Sequence, residues 1–196
     1  MTRNEISQKV RQRIDEVGVN EVISLNFPID PFINEATNQT MFDSPINLAS
    51  NVVDFSDYPI TQNEDGSGEV ALPENFGRLV EFKMEGWSYS ISTPIVAEAI
   101  TLARQANPIT RGNPARPVVL LKDDRLLYFS VCGEYDHEIA IAKAQVYKKS
   151  FADFPDTLSD AISWLTASKV LQVMNEDELS KSALQQYVEI VANFKR

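Results

Sequence analysis

The 196-residue chain is predicted to be an α+β protein in which N- and C-terminal helices, over 1–52 and 151–196, form a helical bundle domain. Between them, 53–150 is predicted as an inserted antiparallel β-rich module with one helix over about 94–106. Three observations predict this class. Apolar residues recur at helical spacing at both ends of the chain, they alternate with a period of two through its middle, and proline, glycine and acidic turn residues mark the changes of period. Amphipathic helices separated by a β tract satisfy their apolar faces most simply by packing on one another.

Thr2 and Glu5 form a Thr-x-x-Glu capping box, and Ile6, Val10, Ile14 and Val17 follow at helical spacing until Gly18 stops the run. Asp30-Pro31 predicts the next helix, with Asp30 as N-cap, Pro31 as first helical residue and Phe32, Ile33 and Ala36 on the apolar side. Ser44-Pro45 repeats that signal and predicts a short helix through Ile46, Leu48, Ala49 and Val52. From Asp54 to Gly68 no apolar period exists, and the polar run from Gln62 predicts a mobile loop.

Val80, Phe82 and Met84 then alternate with Glu81, Lys83 and Glu85, and after Gly86 the residues Trp87, Tyr89 and Ile91 alternate with serines, predicting two antiparallel strands. Thr93-Pro94 starts the module's helix, with Ile95, Ala99, Leu102 and Ala106 on one face. Segments 117–121 and 125–132 flank Lys122-Asp123-Asp124 as a hairpin. A further strand covers 139–147, although Ala140, Ala142 and Ala144 would also suit a helix. After Phe154-Pro155, Asp156 or Thr157 caps a helix carrying Leu158, Ile162 and Leu165 and running to Met174. The last helix begins at Glu176, aligns Leu179, Ala183, Tyr187, Ile190 and Phe194, and ends on Lys195 and Arg196, which complement its C-terminal dipole.

A content of 43% hydrophobic and 23% charged residues is ordinary for a globular domain. No run of about 18 apolar residues exists, and the N-terminus opens directly into an amphipathic pattern, so the chain is expected to be soluble, made in a cytoplasm and without a membrane partner. A net charge of −10 argues against binding a nucleic-acid backbone as the main activity. The charge is uneven: residues 51–100 hold nine acids and two bases, and 101–150 hold five acids and eight bases. Such polarity lets an acidic surface of one subunit meet a basic one of its neighbour, or simply marks two solvated faces.

Catalytic constellations are not visible. The single Cys132 excludes an internal disulfide, and the single His137 excludes a histidine-rich metal site. These two residues, five apart, read as a buried thiol and a turn histidine. Asp123-Asp124 and Glu64-Asp65 lack the ligand spacing of a calcium loop, and the seven glycines form no phosphate-binding fingerprint. The reading is therefore a non-enzyme without cofactor or metal. Trp87 beside Tyr89 leaves open a carbohydrate- or ligand-binding β module, against their placement in a core.

The most structured polar stretch runs from Leu102 to Leu121. Arg104, Arg111 and Arg116 are spaced through it, and Pro108, Gly112, Pro114 and Pro117 shape its backbone. Donors on these arginines are expected to find carboxylates in the same fold, in a neighbouring chain, or water.

The succession Leu72-Pro73-Glu-Asn-Phe76-Gly-Arg78-Leu79, Gly86-Trp87, Gln105-Ala-Asn107, Thr110-Arg-Gly-Asn-Pro114, Arg116-Pro117-Val118 and Phe154-Pro155-Asp-Thr-Leu158 resembles the head–tail connector (adaptor) proteins of tailed phages of short-tailed or crAss-like type. That resemblance implies a structural subunit of the virion neck, made in the host cytoplasm. It implies a homo-oligomeric, twelvefold ring docked on the portal protein, extending the channel for double-stranded DNA without binding it specifically and presenting a platform to tail or further ring proteins. Read onto this chain, Arg104, Arg111, Arg116, Lys195 and Arg196 become candidates for inter-subunit or portal contact, with an acidic segment of 54–85 as the facing surface. Glu176, Asp177 and Glu178 become candidate pore-lining acids that repel passing DNA. With only Lys195 and Arg196 after the final helix, the chain departs from the long C-terminal anchor such adaptors often carry, and none is expected here.

Overall fold

The computed structural model describes residues 1–17, 27–48, 51–129 and 137–194. It is a mixed α+β fold with two compact units, Met1–Ser50 with Tyr147–Arg196, and Asn51–Val146. Gly18, Ala49, Cys132, Lys195 and Arg196 lie outside the described residues.

The first unit is built from α1 (Arg3–Glu16), α2 (Asp30–Asp43), α4 (Ser159–Val173) and α5 (Asp177–Phe194). The Thr2 and Glu5 capping box forms in both directions and starts α1, whose Ile6, Val10 and Ile14 are buried. Helix α2 begins at Asp30, one residue earlier than predicted, with Ile29 as N-cap and Pro31 inside the first turn, where a missing N–H costs nothing. Helix α4 is the axis of the unit. It packs against α1, α2 and α5 and is buried nearly all round by Ala161, Ile162, Leu165, Ala167, Val170 and Leu171. Two of its small polar residues are satisfied within the helix, the Ser163 hydroxyl donating to the Asp160 carbonyl at 2.8 Å and the Thr166 hydroxyl to the Ile162 carbonyl at 2.7 Å, whereas Ser168 bonds to Ser180 of α5.

The start of α4 departs from expectation: Asp156–Leu158 form a 3-10 turn, and neither Asp156 nor Thr157 caps the helix, whose N-cap is Leu158. Its end is set by Asn175 in the left-handed conformation (φ 62), which lets the Glu176 N–H reach the Leu171 carbonyl at 3.0 Å and turn the chain into α5. Beyond Ser44-Pro45 the expected helix is only a 3-10 turn, Ile46–Leu48, because Val52 is drawn into a sheet.

The second unit holds two sheets. In one, β1 (Val52–Asp54) and β4 (Phe76–Met84) both pair antiparallel with a central β8 (Ile139–Val146). In the other, the order is β2 (Ile60–Gln62), β3 (Ser67–Ala71), β7 (Arg125–Phe129), β6 (Val119–Lys122) and β5 (Ile95–Val96). Their shared core contains Phe55, Val70, Phe82, Met84, Trp87 and Tyr128. The ends of the unit are clasped: Val52 lies opposite Gln145, the Val146 N–H donates to the Asn51 carbonyl at 3.1 Å, and the Asn51 amide returns a bond to the Val146 carbonyl.

Four elements of this unit correct the sequence reading. The supposed loop 54–68 contains β2 and the start of β3, joined by a turn in which the Gly66 N–H bonds to the Asn63 carbonyl and the Asn63 N–H to the Ser67 carbonyl. Pairing on one side only leaves β2 exposed, and hence without an apolar signature. In β4 a register irregularity between Leu79 and Glu81 breaks the alternation, burying Leu79 as well as Phe82 and Met84. The expected strand at Trp87–Ile91 is reduced to one bridge, Phe82 with Ile91, because the Ser88 N–H turns away to the Pro114 carbonyl at 2.9 Å. Finally, the helix expected from Pro94 starts at Ala99 as α3 (Ala99–Ala106), while Ile95 and Val96 form β5, parallel to Leu120 and Leu121. Two β-branched residues beside an open sheet edge gain ladder bonds that a first helical turn cannot offer them.

Candidate functional site

The arginine stretch is a held loop whose donors to itself are mostly backbone. Gln105, the only buried residue of α3, accepts the Gly112 N–H on its Oε1 at 2.9 Å. A Cβ at Gly112 would lie 2.1 Å from the Phe129 carbonyl oxygen, so the loop backbone approaches β7 as only glycine permits. Asn107 Oδ1 accepts from the Ile109 N–H at 2.9 Å. Asn113 Oδ1 takes both the Ala115 and Arg116 N–H groups at 3.0 Å. Each amide or glycine in Gln105-Ala-Asn107 and Gly112-Asn113 thus serves the shape of the loop backbone.

Their fates differ. Arg111 makes an ion pair at 3.2 Å with Asp65 of its own chain, without the alignment of a straight hydrogen bond. The Ser67 hydroxyl, and after it Arg111, hold the Asp65 carboxyl below its ordinary range against the cost of burial. The acidic segment therefore meets the arginine loop inside one subunit at this point, which is one of the partners the sequence left open for Arg111. Arg104 and Arg116 are exposed and form no salt bridge among the described residues.

Large aliphatic side chains on the same stretch of chain, from β5 through α3 into the loop, are also exposed. Val96 is 62% exposed, Ile100 60% and Ile109 92%. Ile100 and Arg104 are four residues apart on α3 and share its outward side. Exposed aliphatic side chains, and two guanidiniums without a salt bridge among the described residues, give α3 and the loop after it the composition of a protein contact, where apolar anchors and arginine are enriched.

The other candidates separate. Trp87 is 3% exposed and packs edge-on against Phe82 at 5.8 Å, whereas Tyr89 is half exposed, so the pair offers no common platform to a sugar. Glu176, Asp177 and Glu178 are exposed at the N-terminus of α5, where they complement the helix dipole, and Glu178 is paired with Lys181 at 2.8 Å. Lys195 and Arg196 lie outside the described residues, as does Cys132. His137 Nδ1 stands 2.7 Å from the Tyr128 hydroxyl, a hydrogen bond whose donor is set by the imidazole tautomer, and burial pushes the phenol up and the imidazole down. His137 also borders a shallow pocket of about 410 Å³ with Asp57, Tyr58 and Glu138. Among the described residues no group of three His, Cys, Asp or Glu side chains is placed to hold a metal.

Two further polar constellations escaped sequence reading. In the β unit, Arg78 Nε donates to Gln145 Oε1 at 2.6 Å, and Gln145 Nε2 to Asn51 Oδ1 at 3.0 Å, a buried chain linking β4, β8 and the unit's entry. In the helical unit, the Tyr187 hydroxyl donates to Asp43 at 2.5 Å beside a groove that α2 forms with Tyr147. Neither has a local motif, since the partners are far apart in sequence. Compared with protein-family models and with curated proteins, the chain matches none.

Proposed function

We propose that the protein is a structural subunit of a phage head-to-tail adaptor ring, docking on the portal and continuing the DNA channel, with no catalytic role. The motif succession resembling such adaptors is the source of the reading. The observation that carries it furthest is the loop built around Gln105 and Gly112, which spends its buried hydrogen bonds on shape, while Arg104 and Arg116 form no salt bridge among the described residues and Ile100 and Ile109 are exposed. A side-by-side ring of more than two subunits joins two different patches of each subunit. The exposed acids Glu176, Asp177 and Glu178 suit a wall that duplex DNA slides past.

Native mass measurement and negative-stain imaging of the chain, alone and mixed with its portal, test the reading. Closed rings, or decoration of the portal by multiple copies, are expected. Monomers in both preparations, or mature particles lacking the chain at the vertex where the genome exits, would end it.

A further inference from the structure

The helical unit contains a groove of about 430 Å³ bounded by Glu35, Asn38, Gln39, Phe42, Asp43 and Tyr147. Its aromatic wall is a close pair: the Phe42 and Tyr147 rings have centroids 4.4 Å apart at 48°, and Tyr147 is 49% exposed. Two carboxylates flank that wall. Asp43 holds the Tyr187 hydroxyl through one oxygen, and Glu35 meets Lys169 at 2.7 Å through one of its own. A carboxylate offers about four lone-pair directions, so each retains acceptor capacity. An exposed aromatic face between carboxylates is a receptor for a guanidinium, which stacks on rings and forks onto carboxylates where an ammonium does neither well.

We infer that this groove receives the arginine loop of a second copy of the chain, with Arg116 or Arg104 set against Tyr147 and the Asp43 and Glu35 carboxylates, and Ile109 seated beside Phe42. The inference rests on the side-by-side assembly proposed above and names its two surfaces. Charge complementarity selects the occupant: the loop presents two cations without salt-bridge partners among the described residues, the groove presents two acids, and each side adds exposed apolar area.

A photoreactive benzoylphenylalanine in place of Ile109 tests this without disturbing the fold, since that side chain is 92% exposed. The full chain is mixed from isotope-labelled and unlabelled copies, irradiated alone and with the portal, and its inter-copy cross-links are mapped by mass spectrometry. Links from position 109 to 35–43 or to Tyr147 of another copy are expected. Arg116→Glu should weaken self-association roughly tenfold with unchanged melting, and Tyr147→Ala should weaken it by a similar factor while lowering melting through loss of the Phe42 ring contact. Assembly with cross-links only elsewhere, or only within one chain, overturns the inference and leaves the ring standing. A monomer in both preparations, with no link between copies, overturns both together.

Discussion

Replacing Gly112 with alanine should distort the loop that carries the arginines, and the structure sets the size of the effect. The added Cβ would sit 2.1 Å from the Phe129 carbonyl oxygen and 3.1 Å from the Val118 nitrogen. Neither obstacle is a flexible side-chain end, and the Phe129 N–H is tied to the Val118 carbonyl at 3.1 Å, so relief requires shifting paired backbone by more than about an ångström relative to ordinary contact. Overpacking of this kind costs about 1–3 kcal/mol, with rigid backbone placing it toward the upper end. For a chain of this length each kcal/mol lowers Tm by about 2–4 °C, giving a drop of about 5–10 °C. Gly86→Ala is the control: its φ of +78 carries a strain of about 1 kcal/mol, but nothing lies within 4 Å. Gln105→Ala removes the acceptor of the buried Gly112 N–H and should cost about 1–3 kcal/mol. Its effect should combine non-additively with Gly112→Ala, because both act on one contact. Calorimetry on the three single variants and the double variant checks the ranking. A Gly112→Ala protein melting no lower than Gly86→Ala would refute the close-approach argument.

Acidification should weaken the fold between about pH 6.5 and the depressed pKa of His137, since burial keeps its ring neutral while the unfolded chain takes up a proton. The contribution is fully present above pH 6.5 and declines below it. Urea unfolding at pH 7.5 and 5.5 should therefore show a loss that His137→Gln abolishes, and an equal loss in both proteins would contradict it. In a Trp164→Phe background, Trp87 should emit at short wavelength, a glycan panel should leave that emission unmoved, and Trp87→Ala should cost about 3–5 kcal/mol in denaturant. Tyr187→Phe, which strips a hydrogen bond from Asp43, should cost about 1.5–3 kcal/mol in the same measurement.

The helices were legible because their signals are local. A capping box needs four residues, and the stripe of α5 repeats within one element. The α+β class followed from the change of period alone. Where the reading failed, long-range pairing had overruled local pattern. Ile95 and Val96 look helical until the Leu120 and Leu121 edge is known, and Trp87–Ile91 looks like a strand until the Ser88 N–H finds Pro114. The arginine loop could be singled out by composition. Its division into one arginine bound inside the chain and two presented outward could not, because Asp65 lies 46 residues before Arg111. The groove beside Tyr147 was likewise hidden, being assembled from α2 and a residue about a hundred positions downstream.

The clasp between Asn51 and Val146 makes the β unit an excisable cassette. Bringing the ends of a flexible segment of roughly a hundred residues together costs about 4 kcal/mol beyond a constant. Here the inserted unit meets that cost itself, through the Val52 and Gln145 pairing and the Asn51 amide. The helices before and after it need not supply the closure. Different β cassettes with similarly joined ends can therefore be exchanged on one helical chassis, so the loops of the β unit can diversify while α1, α2, α4 and α5 keep their packing.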